Sequence, residues 1–181
     1  MFRGPGRRFV RARDGVAAVE FALILPVMIA MFLGMTEITV AVNTYRKLVL
    51  VTRAVADLTG RATTLSSDDI LNIFAAGRLV MQPYPSSTIE AVISSIAVTT
   101  SGTTTTGKVT WSCSNGVGLT ALPVGSNYAV PDSFKGSSTF VAVQTQLPYS
   151  PMFTGGTWIF NENVPWPVRS GNPITLSSAS C

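Results

Sequence analysis

The chain has 181 residues, 46% of them hydrophobic and only 12% charged, and it contains no histidine. This length suits one domain, and so little charge suits a membrane or envelope protein better than a cytosolic one. Without histidine the chain lacks the usual general base and the commonest metal ligand, so enzyme readings start at a disadvantage. The net charge of +4 also misleads until it is located. Residues 1–15 hold Arg3, Arg7, Arg8, Arg11 and Arg13 against Asp14, whereas residues 16–181 hold eight basic and eight acidic side chains. A neutral remainder offers no groove for tracking phosphates, which argues against nucleic acid as a partner.

Directly after this basic leader comes VAAVEFALILPVMIAMFLGMTEITVAV, from Val16 to Val42, interrupted only by Glu20 and Glu37. At about 1.5 Å per residue these residues make a helix of roughly 40 Å, enough to cross a hydrocarbon core of about 30 Å with some tilt. Arginines before the run, and none after it until Arg46, orient the N-terminus towards the cytoplasm. A secretory signal peptide shares the basic start and apolar middle. The present run is longer, carries Glu20 near its start and lacks a clear small-x-small exit, so it reads as an anchor. Pro26 removes one helical hydrogen bond and predicts a kink, while Glu37 marks an exit into water.

Glu20 calls for a partner, because a carboxylate at the edge of a lipid-embedded helix costs a few kcal/mol when unpaired. Its setting is Arg13-Asp14-Gly15, then Val16-Ala17-Ala18-Val19, then Glu20-Phe21. This leader and helix start resemble the N-terminus of the TadE/TadG-like proteins, minor pseudopilins of tight-adherence (Flp) pili within the type IV pilin class. The resemblance is strong over residues 7–45, weaker over the following helix, and offers little beyond about residue 65. It implies a prepilin peptidase cutting between Gly15 and Val16, which would put Glu20 at the fifth mature position. The major subunit of such pili carries Tyr after this Glu, where the chain has Phe21. Cleavage would remove the leader's charge and leave one α-ammonium on Val16. In a low-dielectric bundle, Glu20 of one subunit could neutralise that ammonium on a neighbour and fix an axial register.

Beyond the apolar run, Leu48, Val51, Val55, Leu58 and Ala62 recur at helical spacing, with Arg53, Asp57 and Arg61 on another side. The helix is therefore predicted to continue and to lay this stripe on its own domain. Leu65-Ser66-Ser67-Asp68-Asp69 has the chemistry of a helix start, with Ile70, Leu71, Phe74, Ala75 and Leu79 as the apolar side and Pro83 and Pro85 as the stop. Asp68 and Asp69 are cap and dipole residues and no metal pair, having no further ligand nearby. Strands follow at Thr88–Val98 and Lys108–Cys113, where Val109, Trp111 and Cys113 share a face, with Thr99–Gly107 as a polar connector. Residues 114–136 read as a long loop, Ser138–Leu147 as a third strand and Ile174–Ser180 as a short fourth. Between the last two, Tyr149, Phe153, Trp158, Phe160 and Trp166 lie among prolines and glycines and are expected to pack over a sheet edge.

The expected fold class is α+β. A basic leader (1–15) precedes a transmembrane helix (16–45), its amphipathic continuation (46–64) and an extracytoplasmic domain (65–181) with a small antiparallel sheet and one further short helix. No phosphate loop, nucleophile elbow or paired catalytic carboxylate is found, and the hydroxyl residues have no base to activate them, so neither catalysis nor a cofactor is expected. The leading function is structural: a minor pilin-like subunit or assembly component of a tight-adherence pilus. Its partners would be other pilin or pseudopilin subunits, the pilus machinery, the prepilin peptidase and membrane lipid. It would sit as a single pass in a bacterial inner membrane, with the body periplasmic and open to incorporation into an extracellular pilus. The competing reading is a permanently anchored envelope protein whose aromatic-rich loops bind a ligand or surface. In either case the body lies in an oxidising compartment, where the only two cysteines, Cys113 and Cys181, are expected to form a disulfide.

Overall fold

The computed structural model describes residues 14–116 and 118–177. One helix, α1 (Asp14–Arg61), takes up 48 residues and is about 72 Å long at 1.5 Å per residue. It runs through Pro26, a position that membrane helices tolerate because neighbouring groups can re-satisfy the freed carbonyl. Five threonines sit within it, and each returns its hydroxyl to a carbonyl three or four residues back: Thr36 to Leu33, Thr39 to Met35, Thr44 to Val40, Thr52 to Leu48 and Thr59 to Val55. These hydroxyls therefore need no water, and an apolar setting costs them little.

The α+β class expected from the sequence is what forms. A short strand β1 (Thr64–Leu65) leads into α2 (Ser67–Met81), whose N-cap is Ser66. The Ser66 hydroxyl accepts from the Asp69 amide while the Asp69 carboxylate accepts from the Ser66 amide, a reciprocal capping box. The buried side of α2 is Ile70, Ile73, Phe74, Gly77 and Met81, whereas Leu71, Ala75 and Leu79 face outward. That corrects the sequence assignment, which fitted the commonest apolar residues and passed over a glycine. Gly77 is where α2 approaches α1: a Cβ there would lie 2.8 Å from Cγ2 of Val55.

Five strands make the main sheet, in the order β4 (Asn127–Tyr128), β3 (Thr104–Ser114), β2 (Glu90–Ser101), β5 (Thr139–Tyr149), β6 (Trp158–Pro167), with every pairing antiparallel. The threonine-rich stretch read as a connector is mostly paired strand. Its turn shrinks to Gly102-Thr103, with Gly102 at φ 61° supplying the left-handed conformation that a two-residue hairpin needs. A register shift between Ser95 and Ile96 leaves Thr110 unpaired on β3. This bulge sends Trp111 and Cys113 to the helix-covered face and Val109 to the other, so the three do not share a face as predicted. On the far face Ile96, Val109, Phe134, Phe140 and Ala142 form a smaller core beneath the 114–138 segment, which carries β4 and one 3-10 turn (Asp132–Phe134).

The largest departure is β6. The sequence reading made residues 149–166 a loop, yet ten residues from Trp158 to Pro167 pair with β5. Pro165 and Pro167 are compatible with this because β6 is the sheet's edge, where a missing N–H can face away from the ladder. The last strand also differs. Only Thr175–Leu176 (β7) is extended among the described residues, and it pairs in parallel with β1, outside the main sheet.

Helix α1 lies along β5 and β6, and its upper half fills the larger core with α2. Leu48, Val51 and Val55 of the predicted stripe are buried, while Leu58 is exposed. The Thr52 and Thr145 hydroxyls meet at 2.6 Å across this interface. At the helix's C-terminal end Gly60 touches the end of β6, with a would-be Cβ 2.7 Å from the Pro167 carbonyl oxygen. Next to it, Asp57 accepts from Arg61 and from Arg169, and these guanidinium groups hold its carboxyl below its ordinary value. Arg53, expected to share in this charge pattern, stands outside these pairs.

Candidate functional site

Along α1 the buried positions are Glu37, Ala41, Thr44, Leu48, Val51, Thr52, Val55, Ala56, Thr59 and Gly60. Spacings of four and three carry this stripe without a break from Glu37 to the helix end, one face of a 3.6-residue period. Below Glu37 the pattern stops. From Gly15 to Phe32 every residue is exposed, and Leu33 to Thr36 are at most half-buried. The most apolar window of the helix has a mean hydropathy of 2.5 and no buried residue. Some 22 residues, Gly15–Thr36, thus project from the body, a length of about 33 Å. A rod of Val, Phe, Leu, Ile and Met cannot stand in water at that length, and the helix is long and apolar enough to cross a membrane.

The expected site residues lie at the free end of this rod. Gly15 occupies the first turn, with open space where a Cβ would be. Val16 and Phe21 are 60% and 58% exposed. Glu20 is exposed and enters none of the ion pairs among the described residues, where burial in lipid would demand a partner for its carboxylate. The arginines of the leader lie outside the described residues. Cys113 is wholly buried on the helix-covered face and is not a free thiol. Cys181 lies outside the described residues.

What the sequence reading missed is the root of the rod. Glu37 does not mark an exit into water; it is 4% exposed. Its two carboxylate oxygens accept from the backbone amides of Phe153 (2.8 Å) and Thr154 (3.1 Å), in the loop joining β5 to β6. A carboxylate receiving two amide donors forms a strong, charge-assisted clamp. The loop is thereby fastened to α1 at the point where the helix leaves the body. One helical signal could have exposed this, since Glu37, Ala41, Thr44 and Leu48 continue the stripe downward. Nothing local could have named the partner, 116 residues away.

Above the clamp the aromatic residues pack as the sequence reading expected. Tyr45 meets Phe160 edge-on at 5.6 Å, Tyr149 stacks on Phe160 at 5.5 Å, and the Tyr45 hydroxyl donates to Glu162 at 3.0 Å. Phe153 and Trp158 are the exceptions, 54% and 40% exposed, although Trp158 still meets Tyr149 at 6.0 Å. Among the described residues no cluster of three or more His, Cys, Asp or Glu side chains gathers at metal-binding distance.

Residues 15–57 match the family model described as TadE-like protein, which spans the projecting rod, the Glu37 clamp and most of the packed upper helix. The resemblance noted in the sequence is thus found by an independent comparison over that segment. No curated protein and no solved structure matches the chain.

The clamp makes a direct prediction. Glu37→Ala should leave α1 and the sheet folded but free the loop, raising amide exchange at Phe153 and Thr154 by roughly tenfold or more, as expected when charged hydrogen bonds are lost. Hydrogen–deuterium exchange on the detergent-solubilised chain checks this, and unchanged protection at both amides would refute the clamp.

Proposed function

We propose that the protein is a minor pilin-like subunit, or an assembly component, of a tight-adherence pilus, held in the bacterial inner membrane by its N-terminal helix with the body periplasmic. The observation that carries the reading is the rod itself: about 33 Å of largely exposed apolar helix with a carboxylate, Glu20, near its far end, within the segment that matches the TadE-like family. Residues 1–15 are the leader in this reading, and the lipid-embedded part of the 16–45 segment ends near Glu37. The rod can pass from lipid into a bundle of like helices without remodelling the body, because its apolar side chains from Val16 to Phe32 are all exposed. Binding lipid and binding sister helices use the same surface at different times.

The chemistry of assembly follows from Glu20. Cutting after Gly15 leaves an α-ammonium on Val16, four residues before the carboxylate. A helix that displays one cation and one anion at its lipid-facing end is a poor monomer and a good neighbour, since each charge can be neutralised by an adjacent copy or by a related subunit. Partners are then the prepilin peptidase, other pilin or pseudopilin subunits and the pilus machinery. The buried Cys113 is proposed to bridge to Cys181 and to tie the C-terminus to the helix-covered face, closing a loop of about 70 residues worth up to about 4 kcal/mol by chain entropy.

Three measurements test this reading. N-terminal sequencing of the protein from cells with an active prepilin peptidase should begin at Val16, and a start at Met1 would remove the processing step. Glu20→Ala should still insert and still be cut, but should lose crosslinking to neighbouring subunits and impair piliation. Normal piliation would show that the carboxylate has no assembly role. Alkylation of the unfolded chain without reductant should modify no thiol, and two reactive thiols would rule the bridge out.

A further inference from the structure

The loop clamped by Glu37 is unusual in what it shows to its surroundings. Met152 is 84% and Phe153 54% exposed, and Trp158 and Ile159, at the start of β6, are 40% and 56% exposed. No charged residue occurs between Lys135 and Glu162, so the whole segment around these side chains is neutral. Two backbone hydrogen bonds to Glu37 fix its height along α1.

That height matters because of the direction of α1. The helix runs alongside β6, with Tyr45 beside Phe160 and Glu162 near the start of the strand and Gly60 against Pro167 at its end. The loop therefore lies at the end of the body from which the bare rod projects, while the Gly102-Thr103 hairpin, at the other end of β2 and β3, points the opposite way. If residues 15–36 occupy lipid, the first part of the body to meet the membrane surface is Met152-Phe153. Exposed apolar side chains at that depth, backed by Tyr and Trp, match the composition of the water–lipid boundary.

We infer that the Pro151–Thr154 loop is a second membrane contact, inserting Met152 and Phe153 into the outer boundary of the bilayer beside α1. The inference rests on the anchor reading above and adds to it. With one helix alone, helix and body could tilt and rotate together as one unit in the bilayer. With a second contact fixed to the helix by the Glu37 carboxylate, the body stands in a defined orientation, and leaving the membrane for a fibre requires withdrawing the loop as well as the rod. The occupant of this surface is phospholipid, since the patch adjoins the uncharged stretch of α1 between Glu20 and Glu37 and is itself uncharged.

The test uses the full chain reconstituted in vesicles of phosphatidylethanolamine and phosphatidylglycerol in equal parts. A photoreactive p-benzoylphenylalanine is placed in turn at positions 152, 153, 23 and 103, each of them exposed so that folding is preserved. Positions 23, 152 and 153 should form phospholipid adducts by mass, and position 103, at the distal hairpin, should form none. Adducts at 23 with none at 152 or 153 would overturn the inference and leave the anchor standing. Adducts to a second copy of the chain at 152 or 153, in place of lipid, would overturn it as well. No lipid adduct at position 23 would sink the anchor and the inference together, and adducts at 103 equal to those at 153 would deny the loop any special place.

Discussion

The structure depends on one carboxylate inside one helix. Above Glu37, α1 is part of a globular core; below it, the same helix is a bare apolar rod. Backbone hydrogen bonding makes the two halves continuous, so no hinge loop separates anchor from body. At the changeover Glu37 takes two amides from a distant loop and closes the lower end of the core. A hydrophobic residue at that position could pack but could not satisfy those two donors, and a carboxylate without them would be stranded at the membrane boundary.

The rest of the body can be understood as support for this helix. The antiparallel sheet gives α1 a flat surface, and β6, though an edge strand rich in proline, is placed where the helix needs a neighbour along its length. Two glycines set the packing distances. Gly77 lets α2 close on Val55, and Gly60 lets the end of α1 touch the Pro167 backbone. At that upper end Asp57 holds Arg61 of its own helix and Arg169 beyond β6, a second fastening of the helix to the sheet's edge. The helix is thus tied at both ends of the body, by Glu37 below and Asp57 above.

Much of this could be read from the sequence, and the exceptions have physical causes. The apolar run, the continuation of the helix, the cap at Ser66 and the strands rich in Val and Ile announce themselves through local periodicity and local chemistry. Strand β6 did not, because Pro165, Pro167 and the preceding Gly155-Gly156 are loop signals unless the strand is known to be an edge. The bulge at Thr110 has no local mark, and strict alternation puts Val109 on the wrong face. Gly15, Val16, Glu20 and Phe21 were legible as a spacing pattern at the start of an apolar run. Glu37 was visible as a charge, but its function is set by a pairing 116 residues distant.

The central claim is that one continuous helix changes its environment at Glu37, from lipid below to protein above. Backbone NMR of the full chain in lipid nanodiscs tests it most directly, with a lipid-soluble nitroxide broadening the amides it can reach. The account predicts strong broadening along residues 16–36 that falls away at Glu37 and is absent from the buried stripe between Leu48 and Gly60. Broadening that continued into that stripe, or none along the rod, would contradict it.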